Sequence, residues 1–293
     1  MSWYTEKMNK NNKNVVFWVL IILFLFNSLA LAVVYDLNKP QFLEVIFFDI
    51  GQGDAIFIEK GDYQILIDGG PSSVILEKLG AQMPFWDRTI DLVILTHPEH
   101  DHIAGLIEVL KRYKVENILW TGVLRDTAEY EELVRLIENE DSNVKIAQAG
   151  QRITTPDNLF LEILYPFENL TGQSIKNTNN TSIIIRLLFS NNCFLFMGDA
   201  YKSIERKIID RGSSLNCNFL KVGHHGSKTS TSKELLEAVS PEIAVISAGR
   251  DNRYGHPSEE VLEILNDYGI KVLRTDELGD IKIISNGQNI DIK

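Results

Sequence analysis

Residues 91–105, DLVILTHPEHDHIAG, change within a few positions from apolar β-formers to a cluster of His, Asp and Glu, and then to apolar residues at helical spacing. Asp91 to Thr96 read as a buried strand and Ile103 to Tyr113 as a helix, which puts His97 to His102 in the turn between them. A strand-to-helix turn lifts its side chains above a sheet edge. His97, Asp101 and His102 then present two imidazoles and a carboxylate, a donor set suited to zinc or manganese, with a coordination position left for water. The plain alternative makes Asp101 the N-cap of the helix and His100 and His102 surface residues. It accounts for His100 alone better than for the group.

With 293 residues and 44% hydrophobic content the chain can bury one large core, so one catalytic domain is the simplest count. Its net charge of −11 argues against broad electrostatic attraction to nucleic acid, which depends on Lys and Arg neutralising phosphates. A polyanionic substrate would need a metal and cations placed locally. Near the start, Val15 to Val34 form an apolar run broken only by Asn27 and Ser28, and Lys7, Lys10 and Lys13 precede it. The run is long enough to span a bilayer, and its basic flank predicts residues 1–14 in the cytoplasm and the body outside. Ala30 and Ala32 also fit a signal-peptidase site. The reading taken is a retained anchor at 15–34, a junction at 35–41 and one domain over 42–293. Cys193 and Cys217 allow one disulfide in an oxidising compartment. Cys193 opens the apolar strand CFLFMG, however, and the expectation is a buried free thiol.

HPEHDH resembles the HxHxDH signature of the metallo-β-lactamase superfamily, in a variant with an acidic residue, here Glu99, in place of the second His. HPxxDH turns are typical of the metallohydrolase domain of ComEC-type competence proteins, the channels that import DNA. Upstream, FLEVIFFDIGQGDAIFIEKGDYQILIDGG reads as three strands joined by tight turns, and the order strand, GQGD turn, strand, LIDGG is similar to the start of that domain. Asp68 is expected to orient a ligand by hydrogen bonding. Asp49, Gly51, Gly53 and Asp54 read as turn geometry.

Further signatures follow in the order the resemblance implies. The polar loop 171–182 precedes the strand IIIRLLF, and Asn179 or Asn180 with Ser182 matches an Asn and Ser pair; an Asn-rich turn without substrate contact is the rival. CFLFMGDA brings Asp199 to a strand end, where the resemblance makes it a metal ligand able to bridge two ions and simple sequence reading makes it a helix cap. HHGS supplies His224 and His225. One ligates while the other orients or transfers a proton; spacing does not say which, and His224 is taken as the ligand. Ser227 and Lys228 offer a hydroxyl and a cation to an anionic group. N-x-Y-G-H-P presents Asn252 and Tyr254 as substrate-binding residues and His256 as a late ligand or substrate contact.

The resemblance implies an αββα sandwich and a hydrolase in which His97, Asp101, His102, Asp199 and His224 hold one or two zinc or manganese ions. Asp101 or Glu99 then serves as general acid or base, DNA is the substrate, and components of a DNA-uptake channel are the partners. Two departures bear on this. A single apolar segment replaces the multi-helix channel, so the chain itself is not expected to translocate DNA, and Glu99 leaves one ion site short of an imidazole. A small ester, lactone or phosphorylated envelope component is the second substrate reading. A membrane-anchored binding module with a decayed site is the third.

Overall fold

The structure, a computed structural model, describes residues 2–37, 42–156 and 158–293. It divides into two compact units, Met1–Gln41 and Phe42–Lys293. The first is a helix, α1 (Ser2–Leu37), whose stretch Asn14–Leu31 has a mean hydropathy of 2.3 and is long and apolar enough to cross a membrane. Most of the expected junction at 35–41 lies outside the described residues, as do the side chains of Lys7, Lys10 and Lys13.

The second unit opens with β1 (Leu43–Phe47), β2 (Ile56–Lys60) and β3 (Tyr63–Ile67), then α2 (Val74–Gln82), β4 (Thr89–Ile94), α3 (His100–Leu110), β5 (Lys114–Trp120), α4 (Ala128–Asn139) and β6 (Asn143–Ile146). A second sheet is built from β7 (Arg152–Thr154), β8 (Phe160–Tyr165), β9 (Ile184–Phe189), β10 (Asn192–Phe196), β11 (Phe219–Lys221), β12 (Ile243–Ile246) and β13 (Lys271–Arg274). Helices α5 (Lys202–Asp210), α6 (Lys233–Val239), α7 (Glu259–Asp267) and α8 (Thr275–Leu278) are interleaved with it. The chain then returns to the first sheet as β14 (Ile281–Ser285) and β15 (Ile290–Ile292). The sheets run β15-β14-β1-β2-β3-β4-β5-β6 and β13-β12-β11-β10-β9-β8-β7.

Strand alternation explains the layering. Leu43, Val45 and Phe47 of β1 point into a core shared with Phe194, Phe196 and Phe219 of the second sheet, whereas Ile46 and Phe48 point outward to α2, α3 and α4. On the other side Leu195 and Leu220 meet α5, α6 and α7. Each sheet therefore has two apolar faces and is buried on both, which yields helix, sheet, sheet, helix. The parallel pairs β3–β4–β5–β6 and β10–β11–β12–β13 direct their C-terminal ends to one edge of the sandwich.

Two local expectations are corrected. Helix α3 starts at His100 rather than Ile103, with Glu99 as its N-cap residue and Asp101 in its first turn, where a carboxylate favours the exposed N–H end of the helix. Cys193 and Cys217 are bonded to each other and neither is a free thiol. The parallel pairing of β10 with β11, in register Phe194↔Phe219, brings their Cα atoms to 4.6 Å although 24 positions separate them in sequence. Closing a loop of that length removes unfolded-state entropy worth about 3 kcal/mol. Reduction, or the double change Cys193→Ala with Cys217→Ala, is expected to lower unfolding free energy by about that amount in denaturant titrations; an unchanged midpoint would contradict it.

Candidate metal centre

Three strands deliver their key residue at the same distance past their ends. His97 lies three residues beyond β4, Asp199 three beyond β10 and His224 three beyond β11. Asp68 directly follows β3, at φ 58°. Its turn is pressed onto α3: Gly69 N donates to His102 O and Gly105 N to Gly70 O, both at 2.9 Å. A Cβ on Gly105 would lie 1.8 Å from Gly69 O, so this approach requires glycine and sets Asp68 beneath His102.

The Nε2 atoms of His97, His102 and His225 lie 3.8, 3.5 and 3.4 Å from Asp199 Oδ2, and that of His225 lies 3.4 Å from Asp101 Oδ2. All three nitrogens and Asp199 Oδ1 are buried without a hydrogen-bond partner. The opposite ring nitrogens are all engaged. His102 Nδ1 faces Asp68 Oδ2 at 2.8 Å and His225 Nδ1 faces Ser247 O at 3.0 Å, and these acceptors require Nδ1–H donors. Thr96 Oγ1 donates to Asp68 Oδ2 at 2.6 Å, so His97 Nδ1–H donates to Thr96 Oγ1 at 3.0 Å. In the neutral rings each Nε2 is thereby the free nitrogen facing Asp199, open to an ion or, at His102 and His225, to a proton. Leaving such atoms unbonded in a protein interior is costly, on the order of 1–3 kcal/mol each. The donor groups His97/His102/Asp199, Asp101/His102/His225 and Asp54/Asp199/His225 each bring their atoms within 4.8 Å of one another. Imidazole and carboxylate donors so arranged fit a divalent ion of the zinc or manganese type.

Electrostatics follow the same pattern. Burial, reinforced by the neighbouring His102, pushes His97 down to about 3. Burial alone would also depress His102 and His225, but Asp199 with Asp68, and Asp199 with Asp54, raise them well above the usual imidazole range. Asp101 is pushed up by burial and pulled down further by His225 and His102, to about 2. Asp199 is likewise held well below the carboxylate range, by His225 and His102. The cluster thus calls for positive charge beside Asp199.

His224, taken from sequence as the ligand of its pair, stands apart from these donor groups. Its Nε2 is 3.9 Å from Asp199 Oδ2 and 3.2 Å from Asn179 Nδ2, its Nδ1 meets Thr229 Oγ1, and its ring stacks on Tyr201. His224 and His225 are successive left-handed residues, φ 47° and 54°, so their rings diverge: His225 is buried in the donor groups, while His224 lies at the cleft wall. Glu99 is bound by Arg125 at 2.8 Å and by Thr178. Ser182 is buried; its hydroxyl accepts from Asp199 N and donates to Asn179 O, which shapes the loop. Asn180 Oδ1 is buried while its carbonyl accepts from Tyr165, and Asn179 is the asparagine that lines the cleft. Asn252 builds its own turn by accepting from the N–H groups of Tyr254 and His256. Ser227 is buried, Lys228 is exposed, and neither lines the cleft.

The cleft, about 160 Å³, is lined by Gln52, Glu99, Asp101, Asn179, Asp199 and His224, with His225, Tyr254 and His256 closing it. A larger hollow of about 550 Å³ beside Arg152, Arg186 and Arg211 contains none of the donor groups. Sequence reasoning missed Asp54, Lys221 and Arg125. Only Asp54 had a local signal, the acidic end of GQGD, and it was absorbed into the turn.

Two sheets enclosed by helices, with a His and Asp cluster at their strand ends, define a metallohydrolase scaffold. Residues 48–250 match the Metallo-beta-lactamase superfamily, and the chain belongs to that superfamily. ComE operon protein 3 of Bacillus subtilis is 31% identical over 259 residues, covering 82% of this chain and 32% of that protein. Recombination protein 2 of Haemophilus influenzae is 31% identical over 271 residues, covering 90% and 31%. The chain spans about a third of the length of these curated relatives. Among solved structures, the metallo-beta-lactamase fold protein YhfI from Bacillus subtilis superposes with a TM-score of 0.56 at 15% identity, over 84% of this chain and 100% of that one.

Because Asp68 holds His102 directly and His97 through Thr96, Asp68→Asn is expected to weaken zinc binding about 10–100-fold in a chelator competition. Wild-type affinity in that variant would show that the carboxylate does not orient the imidazoles.

Proposed function

We propose that this chain is a metal-dependent phosphodiesterase that cleaves DNA at the outer face of a membrane. The observation that carries the reading is the convergence of three buried, unbonded imidazole nitrogens on Asp199 beside an open polar cleft. Asp101, His102, Asp199 and His225, with His97 alongside, would hold a divalent ion, which would supply Lewis acidity and acidify water there. The chain's own groups complete the chemistry. Asp101 keeps 29% of its side-chain surface exposed, so the donor set borders the open cleft where a substrate oxygen can reach it. Glu99, neutralised by Arg125, serves as a wall of the cleft. Tyr254, 55% exposed, lies nearly parallel to the His256 ring at 6.0 Å and carries the Arg253 guanidinium over its own ring at 5.0 Å, an exposed aromatic and cationic pair against which a nucleotide can stack.

DNA as substrate draws on relatives named for competence and recombination. The membrane placement draws on the apolar stretch of α1 and on the basic residues before it, which keep the N-terminus cytoplasmic. The Cys193–Cys217 disulfide supports it independently, since such bonds persist in oxidising compartments. Components of a DNA-uptake channel are the partners that placement implies. A second reading is favoured by the size of the cleft: 160 Å³ also suits a single small ester, lactone or phosphorylated group.

The full chain in detergent, loaded with manganese or zinc, is expected to cleave single-stranded DNA, and Asp101→Ala and Asp199→Ala to lower that rate about 100-fold or more. Turnover of small esters without DNA cleavage would transfer the assignment to the second reading, and bound metal with no turnover would leave a binding module. Tyr254→Ala is expected to raise KM for DNA about tenfold, the equivalent of one lost stacking contact, while hydrolysis of bis(p-nitrophenyl) phosphate stays within about twofold. Equal effects on both substrates would remove the stacking role.

A further inference from the structure

Lys221 ends β11 in the middle of the second sheet and is 1% exposed. Its ammonium group lies 2.8 Å from Asp54 Oδ2 and 3.0 Å from Val222 O. Asp54, 2% exposed, belongs to the loop between β1 and β2 of the first sheet, so the pair ties the two sheets together directly below the cluster. The second oxygen, Asp54 Oδ1, is buried without a hydrogen-bond partner and lies 3.3 Å from His225 Nδ1, whose N–H is given to Ser247 O, on the side of the ring opposite the nitrogen that faces Asp199. Asp54 N donates to Asp101 O at 3.3 Å, and a Cβ on Gly53 would lie only 2.2 Å from that carbonyl. The GQGD loop is therefore packed against both the His225 ring and the Asp101 turn.

Packing offers no reason for this pair. Both charges are lost to solvent, and apolar residues of similar volume would fill such a position at equal or better stability. Asp54 also has the geometry of a competing ligand, since its carboxylate falls within 4.8 Å of the donor atoms of Asp199 and His225. An ammonium on one oxygen removes that option and leaves the other for the imidazole.

We propose that Lys221 and Asp54 are positioning residues for the His225 ligand: Lys221 fixes the Asp54 carboxylate away from the ion, and the Asp54 charge beside the Nδ1–H edge of His225 reinforces the bond to Ser247 O so that Nε2 faces Asp101 and Asp199. The assignment rests on the metal-centre reading and adds to it the device that aims one ligand. Neither residue reaches the cleft, so both act through His225.

The test replaces the pair by neutral groups of similar shape, Asp54→Asn with Lys221→Met, in the full chain. The expected result is a metal-free melting temperature within a few degrees of wild type, zinc affinity weakened about 10–100-fold in a chelator competition, and an altered visible spectrum of the cobalt-substituted protein. Zinc affinity within twofold of wild type with an unchanged cobalt spectrum overturns the assignment, as does an affinity loss that merely follows loss of folded protein. A measurement on the zinc-loaded wild type needs no variant to fold: nitrogen–proton correlation spectra are expected to show His225 as the Nδ1–H tautomer, and an Nε2–H tautomer overturns the assignment. Absence of zinc binding in the wild type would instead overturn the metal-centre reading, and this assignment with it.

Discussion

Asp199 Oδ2 is the point on which three buried imidazole nitrogens close, and the upper edges of both sheets are arranged to keep it so. None of those nitrogens has another partner, so the cluster is unfavourable until positive charge occupies it. Left-handed backbone at Asp68, His224 and His225 adds strain of about 1–3 kcal/mol each, a cost that persists only where surrounding structure over-determines it. The inter-sheet core below, with Phe47, Phe194, Phe196 and Phe219 fully buried, supplies that rigidity. Stability made in the core is held against the site.

Rigidity reaches the cluster through loops that cross between the sheets. Gln52 accepts from Gly249 N, Asp54 pairs with Lys221, and Ile183 N donates to Thr96 O, so first-sheet turns are bonded to second-sheet turns around the cluster. A displacement of one sheet against the other would have to break these bonds. Close backbone approach at Gly53 and Gly105 permits the bonds Asp54 N to Asp101 O, Gly69 N to His102 O and Gly105 N to Gly70 O, which hold α3 with Asp101 and His102 in place.

Charge is managed locally and not by the net balance. The chain as a whole is acidic, at −11, yet the acidic residue of the metal turn is neutralised by Arg125 and the carboxylates of the cluster face imidazoles. For the polyanionic substrate proposed above, attraction would have to come from an ion at the cluster and the groups around it, since the net charge supplies none.

Much of this was legible in the sequence. Alternating and continuous apolar runs located β8 at Phe160–Tyr165 and the strands before His97, Asp199 and His224, because a residue's burial depends on strand period and a ligand-bearing turn must follow a strand end. The same turns carried most of the His and Asp residues that the structure gathers at the cluster. What the sequence could not decide was direction and partnership. Adjacent His224 and His225 are chemically equal, and only the backbone torsions of a left-handed turn send one ring inward. Glu99 meets Arg125, Cys193 meets Cys217, and Asp54 meets Lys221 across 26, 24 and 167 positions. Such pairs exist only once sheet order and register are set, since no periodicity along the chain encodes which loops two stacked sheets will bring together.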